Sequence, residues 1–84
     1  MNAHGGQEST ILALSNVFYH WGCVIIPTGY TNPIIYESGG NPYGTSNTAS
    51  ADGTIPEAVL KTAFYQGERL AKFAGILAQS LRPA

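Results

Sequence analysis

The sequence has few charges, a single cysteine and no long apolar run. Four Lys and Arg residues against five Asp and Glu residues give a net charge of −1, which leaves no basic stripe to neutralise phosphates. A nucleic-acid binder is therefore not expected. Cys23 alone cannot form an internal disulfide, and the N-terminal residues lack the basic and apolar regions of a signal peptide, so we expect a cytoplasmic protein.

The apolar stretches are too short to cross a membrane. The longest, residues 23–27, falls far short of the roughly 20 residues that a transmembrane helix needs. With 44% hydrophobic residues in 84, the chain is too apolar for disorder and encodes one small domain. Domains of about 60 residues bury only about 60% of their unfolded surface. Because this longer chain has no disulfide to help it, we expect partner subunits.

Residues 7–21 have the apolar spacing of an amphipathic helix. One face collects Ile11, Leu14, Val17, Phe18 and Trp21. Gly6 is a tolerable N-cap, Glu8 places a negative charge in the first turn, and Gly22 is suited to end the helix.

A short β-branched run follows at residues 23–27. Val24, Ile25 and Ile26 show no polar alternation, which is typical of a parallel strand buried on both faces. The chain contains no second run of this kind, so the unpaired edges of the strand require neighbours from elsewhere. We expect an α/β fold in which partner chains complete the sheet, with Cys23 as a small buried hydrophobic residue.

Residues 28–54 form a long glycine-rich segment without a helical or strand period. Connections of this length are usually functional or disordered. Its bulky residues Tyr30, Ile34, Tyr36 and Tyr43 favour an ordered loop lying across another surface.

The last predicted element is a long helix over residues 55–81. Thr54 and Glu57 have the spacing of a capping box, and Pro56 suits a first turn. Glu57 and Lys61 form a favourable i,i+4 pair, and Pro83 stops the helix. The apolar face holds Val59, Ala63, Leu70, Ala74, Leu77 and Leu81.

Five short motifs occur in a fixed order along the chain. They are His4-Gly5-Gly6-Gln7-Glu8, Gly29-Tyr30, Gly39-Gly40-Asn41-Pro42-Tyr43-Gly44, Asp52-Gly53 and Tyr65-Gln66-Gly67. In this order and at these separations the chain resembles, nearly end to end, the C-terminal part of WrbA-like, flavodoxin-fold NAD(P)H:quinone oxidoreductases.

The resemblance implies a fragment of a flavodoxin-like parallel sheet with helices on both faces. The predicted helix, strand and helix resemble the fourth helix, fifth strand and fifth helix of that fold. Family members are tetramers, in which the loop corresponding to residues 39–53 helps to build subunit contacts. We therefore expect a homo-oligomer or the missing N-terminal half of the domain as the partner.

The resemblance also implies a chemistry and a set of site residues. Gly5 and Gly6 match a loop whose backbone lies against FMN, His20 matches a histidine facing the flavin ring, and Tyr30 matches a tyrosine lining the substrate cavity. Family members take a hydride from NAD(P)H and pass two electrons to a quinone. Other parts of the family's FMN site have no counterpart here, so the isolated chain is expected to be inactive.

Other interpretations of these residues are weaker. His20 by itself suits a satisfied histidine on a helix flank, and its spacing to Cys23 is a poor metal motif without further ligands, so no metal is expected. The glycine-rich 39–44 motif lacks the lysine of a phosphate loop and favours a turn. Ser46, His20 and Asp52 have the residue types of a hydrolytic triad, but the sequence has no nucleophile-elbow motif, so a hydrolase is not expected. The principal alternative function is a non-catalytic, self-associating oligomerisation module.

Overall fold

The fold is described by a computed structural model that covers residues 5–81, and within them all regular structure is helical. Helix α1 spans Gln7–His20, the short α2 spans Ile34–Glu37, and α3 spans Glu57–Ser80. His4 of the first motif and the predicted helix stop at Pro83 lie outside the described residues.

Glycines mark both ends of α1. Gly6 is the N-cap at φ 83°, and Gly22 follows the C-cap Trp21 at φ 75°. Both φ values lie in the left-handed region, where glycine has no Cβ to clash. No described residue of α1 is fully buried: Ile11 and Phe18 of its apolar face are half-buried, while Leu14 and Val17 are exposed.

The predicted strand at residues 23–27 is not formed, which corrects the sequence analysis. Residues 23–28 have no regular structure, Val24 is 68% exposed, and Cys23 is exposed instead of buried. The physical reason is that a strand exists only through hydrogen bonds to a neighbour, and no other segment of residues 5–81 pairs with this one. A β-branched run therefore remains unpaired here.

The small core lies between α2 and α3. Its buried apolar residues are Ile35, 0% exposed, and Val59, 7% exposed. Beside them, the buried Thr62 Oγ1 lies 2.8 Å from Ser38 Oγ and 3.3 Å from the carbonyl oxygen of Ile34. These contacts attach both ends of α2 to α3.

Hydrogen bonds order the segment between α1 and α3. The N–H of Gly29 and the hydroxyl of Thr28 both donate to the carbonyl of Pro42, at 2.9 and 3.2 Å, which closes the loop on itself. The backbone N–H and hydroxyl of Thr45 donate to Gln66 Oε1 at 2.8 and 2.6 Å. The long loop is thus ordered, and α2 interrupts it.

The start of α3 differs from the predicted capping box. The N-cap is Pro56, and no side chain of residues 5–81 caps the helix. The reason is competition, because the Thr54 hydroxyl donates to Asp52 Oδ1 at 2.8 Å and is not used at the helix end. The expected pair of Lys61 with Glu57 is present at 3.6 Å between exposed side chains.

The molecule is elongated. Its radius of gyration is 14.7 Å, whereas a compact domain of this length has about 12 Å. Much of its apolar surface is exposed, notably Val17 on α1 with its C-cap Trp21, and Phe64, Leu70 and Ile76 on α3 with its C-cap Leu81. Within residues 5–81, none of the helices combines the length and apolar character that a membrane crossing requires.

We predict that Gln66 is the main anchor of the loop on α3. Gln66→Leu leaves the Thr45 N–H without its acceptor and should lower the free energy of unfolding by about 1–3 kcal/mol. Amide hydrogen exchange at Thr45 should accelerate in parallel. Gln66→Glu, which retains an acceptor oxygen, is the matched control, and equal exchange rates in the two variants would contradict the prediction.

Asp52 provides a pH-dependent prediction. The backbone N–H of Thr54, its hydroxyl and the Ser50 hydroxyl donate to the Asp52 carboxylate and lower its pKa from 3.8 to about 2. Because the folded-state pKa is lowered, the associated stabilisation is complete above about pH 4 and is lost as the pH falls towards 2. NMR titration of the Asp52 carboxyl carbon should give a midpoint near 2 and a higher one in Thr54→Ala, whereas a midpoint of 3.8 in the parent chain would disprove the assignment.

Candidate functional site

Gly5 and Gly6 form an open turn at the N-terminal end of α1. The carbonyl of Gly6 accepts hydrogen bonds from the hydroxyls of Ser9 and Thr10, at 3.0 and 3.1 Å. Both glycines are exposed, and among residues 5–81 no side chain caps the helix and a Cβ added at Gly6 would meet no atom within 4 Å. Within that part of the chain, the turn leaves room for an acceptor group to approach the first backbone N–H groups of α1.

The side chain of Gln7 connects this turn to the loop. Its Oε1 accepts from Ser46 Oγ at 2.5 Å, and its Nε2 donates to Thr48 Oγ1 at 3.0 Å. Asn41 extends the network by donating to Ser46 Oγ at 2.9 Å. Residues far apart in sequence thus meet beside Gly5 and Gly6.

A groove of about 270 Å³ lies next to the same network. Its lining includes Gln7, Ser38, Ser46, Thr48 and Val59. Ser46 and Thr48 could not be predicted from the sequence as neighbours of the turn, because nothing in a serine- and threonine-rich loop shows which hydroxyls contact Gln7. The motif that begins at His4 was the only signal, since it includes Gln7.

His20 lies in the last turn of α1, with an exposed side chain. It lines a shallow hollow with Asn16, Val17 and Trp21. The indole of Trp21 packs edge-on against Phe18 at a ring-centroid distance of 5.7 Å. An imidazole in this position is accessible to a small molecule and has an apolar surface beside it.

Tyr30 lies in the loop with its ring held at two points. Its hydroxyl donates to the carbonyl of Gly40 at 2.8 Å. Its ring stacks on that of Tyr36, with centroids 4.7 Å apart and planes 9° from parallel. Half of its surface remains exposed.

The predicted site residues fall into three separate places. Gly5 and Gly6 precede α1 and His20 ends it, so His20 lies 14 positions after Gly6, about 21 Å along the axis at 1.5 Å per residue. Tyr30 has its own neighbours in the loop. Within one copy of the chain, the glycine turn and His20 therefore do not face the same small ring.

In the described contacts, Ser46, His20 and Asp52 do not form a hydrolytic triad. Asp52 accepts hydrogen bonds from Ser50 and Thr54, while Ser46 bonds with Gln7 and Asn41. In the described part of the chain, no three His, Cys, Asp or Glu residues cluster as metal ligands would.

Comparison with known proteins identifies relatives by sequence. A protein of Deinococcus radiodurans is 53% identical over 49 residues, covering 58% of this chain and 24% of the relative. Proteins of Rhizobium johnstonii and Chromohalobacter salexigens are 42% and 36% identical over 81 residues, covering 89% of this chain and 41% and 40% of their own lengths. All three are named NAD(P)H dehydrogenase (quinone). No protein-family model and no solved structure matches the chain.

The chain spans less than half the length of these curated relatives. This partial coverage is consistent with the expectation that it corresponds to one portion of a larger oxidoreductase. The resemblance carried by the five motifs is confirmed in that the chain is similar, over most of its length, to part of proteins named NAD(P)H dehydrogenase (quinone).

Proposed function

We propose that the chain is the C-terminal part of a cytoplasmic, FMN-dependent NAD(P)H:quinone oxidoreductase that reduces quinones by two electrons. The observation that carries this proposal is that three relatives, two of them aligned over 89% of the chain, bear the name NAD(P)H dehydrogenase (quinone). In the proposed enzyme, residues 23–27 form a strand of a flavodoxin-like sheet once a neighbouring strand is supplied.

The turn at Gly5 and Gly6 fits a flavin. Among the described residues, no side chain caps α1 and a Cβ at Gly6 would meet no atom within 4 Å, while the first N–H groups of that helix offer donors and the positive end of a dipole. Acceptor oxygens of FMN suit such a place. When bound, FMN supplies the hydride transfer from NAD(P)H and the delivery of electrons to the quinone.

His20 is proposed to act on the quinone. Its exposed imidazole can donate a hydrogen bond to a quinone oxygen, or a proton as that oxygen gains negative charge. Tyr30 lines the cavity that receives the quinone ring, and its half-exposed ring suits a planar ligand.

The separation of about 21 Å between Gly6 and His20 bears on the assembly of this site, since it exceeds the length of a flavin ring system. If both residues act on one flavin ring, they come from different copies of the chain. The proposed partner is therefore a homo-oligomer, together with the remainder of the flavodoxin-like domain. The exposed apolar faces of α1 and α3 are available for such contacts.

The isolated chain is proposed to be inactive. Its buried apolar core consists of Ile35 and Val59 within the described residues, and its predicted strand has no neighbour there. Without the sheet, nothing holds the glycine turn, His20 and Tyr30 around a common space.

The alternative function is a self-associating module without catalysis. The observation that favours it is the exposed apolar surface, which includes Leu14 and Tyr19 on α1, its C-cap Trp21, and Leu60 and Phe64 on α3. Contiguous apolar surface beyond a few hundred Å² usually marks an interaction site. A colourless, stable oligomer in sedimentation experiments supports this alternative, whereas flavin absorbance in the complex supports the enzyme.

The test is complementation. Co-expression of this chain with the complementary segment of the Rhizobium relative should give a yellow complex that oxidises NAD(P)H in the presence of a quinone, while the chain alone should show no turnover. His20→Ala should lower the rate by roughly 100-fold or more, the size of a lost general acid. Lys61→Ala, an exposed position on α3, is the control and should leave the rate unchanged.

Robust quinone reduction by the isolated chain with added FMN and NADPH would refute its proposed inactivity. A colourless complementation product without NAD(P)H oxidation would refute the enzyme itself.

A further inference from the structure

Tyr30 is unusually restrained for a loop residue with half of its surface in solvent. The hydrogen bond from its hydroxyl to Gly40 fixes the tip of the ring at 2.8 Å. The parallel ring of Tyr36, 4.7 Å away, covers one face of it. Two contacts that act on different parts of the side chain leave it little freedom to change rotamer.

Tyr36 is itself attached to the core of the molecule through α2. The preceding residue, Ile35, is completely buried. The carbonyl of Ile34 and the hydroxyl of Ser38, on either side of Tyr36 in sequence, both lie in hydrogen-bond range of Thr62 on α3. The stack therefore connects a loop tyrosine to the buried contact between α2 and α3.

The side chain of Tyr36 adds little to that core, because 65% of its surface is exposed. Ile35 and Thr62 hold α2 in place without it. The stack on Tyr30 is the aromatic contact that Tyr36 makes, and it has the parallel geometry of a favourable ring pair.

We propose that Tyr36 is a positioning residue, which holds the Tyr30 ring in a fixed orientation as a flat surface for the ring of a quinone. This inference rests on the proposed function, in which Tyr30 lines the quinone cavity. Fixing the tyrosine before the quinone binds lowers the entropy that binding must otherwise remove, since the ring is already ordered. Tyr36 does not touch the substrate and acts through Tyr30.

The test is a titration of the 84-residue chain with tetramethylbenzoquinone, followed by NMR at the Tyr30 ring. All ring carbons of this quinone are substituted, so the exposed Cys23 thiol has no free position to which it can add. The parent chain should show saturable shifts at Tyr30. Tyr36→Leu should weaken binding roughly 3- to 10-fold, the range expected for loss of an aromatic pair.

Tyr36→Phe is the matched control, because it retains the ring and loses only the hydroxyl. It should bind the quinone as the parent chain does and keep the upfield ring-current shift of Tyr30, which Tyr36→Leu should lose. A merely structural role for Tyr36 would alter the spectrum of α2 and α3 without changing quinone affinity in a folded variant. Should Tyr36→Leu fail to fold, Tyr36→Gln replaces it at this exposed position.

Equal quinone affinity in Tyr36→Phe and the folded variant that lacks the ring would overturn the proposal. Absence of any quinone-induced shift at Tyr30 in the parent chain would overturn it too. Neither result refutes the oxidoreductase assignment, because flavin absorbance and NAD(P)H oxidation in the complementation experiment depend on other residues and measure that assignment separately.

Discussion

Two glutamine side chains, one on each long helix, hold the segment between α1 and α3 in place. Gln7 bonds with Ser46 and Thr48, and Gln66 accepts two hydrogen bonds from Thr45. Because the described apolar core is small, these polar contacts rather than a hydrophobic interior set the course of the loop. The groove beside the glycine turn depends on the Gln7 contacts, because Gln7, Ser46 and Thr48 all line it.

The sequence predicted those features whose cause is local. Gly6 and Gly22 were expected at the ends of α1, and both have the positive φ that suits glycine. The predicted capping box is not formed, because the Thr54 hydroxyl donates to Asp52 instead. Sequence spacing alone does not reveal this competition. The predicted strand at residues 23–27 is not formed, because β pairing needs a neighbouring strand and the described chain contains none.

The candidate site was predictable only in part. The assignment of Gly5, Gly6, His20 and Tyr30 followed from the family resemblance, and the structure shows all four residues exposed. The stack of Tyr36 on Tyr30 could not be predicted, because no spacing rule in an aperiodic loop brings two particular rings together. The named relatives indicate the kind of protein that this chain resembles, whereas the contacts around each residue are known from the structure alone.

The bridges made by Gln7 also have a kinetic consequence. The hydrogen bond between Gln7 and Thr48 joins positions 41 residues apart, whereas each helix closes its bonds over four. Closing so long a loop costs chain entropy before any contact compensates for it. The two helices are therefore expected to form early in folding, and the loop, with the residues that it carries, to become ordered last.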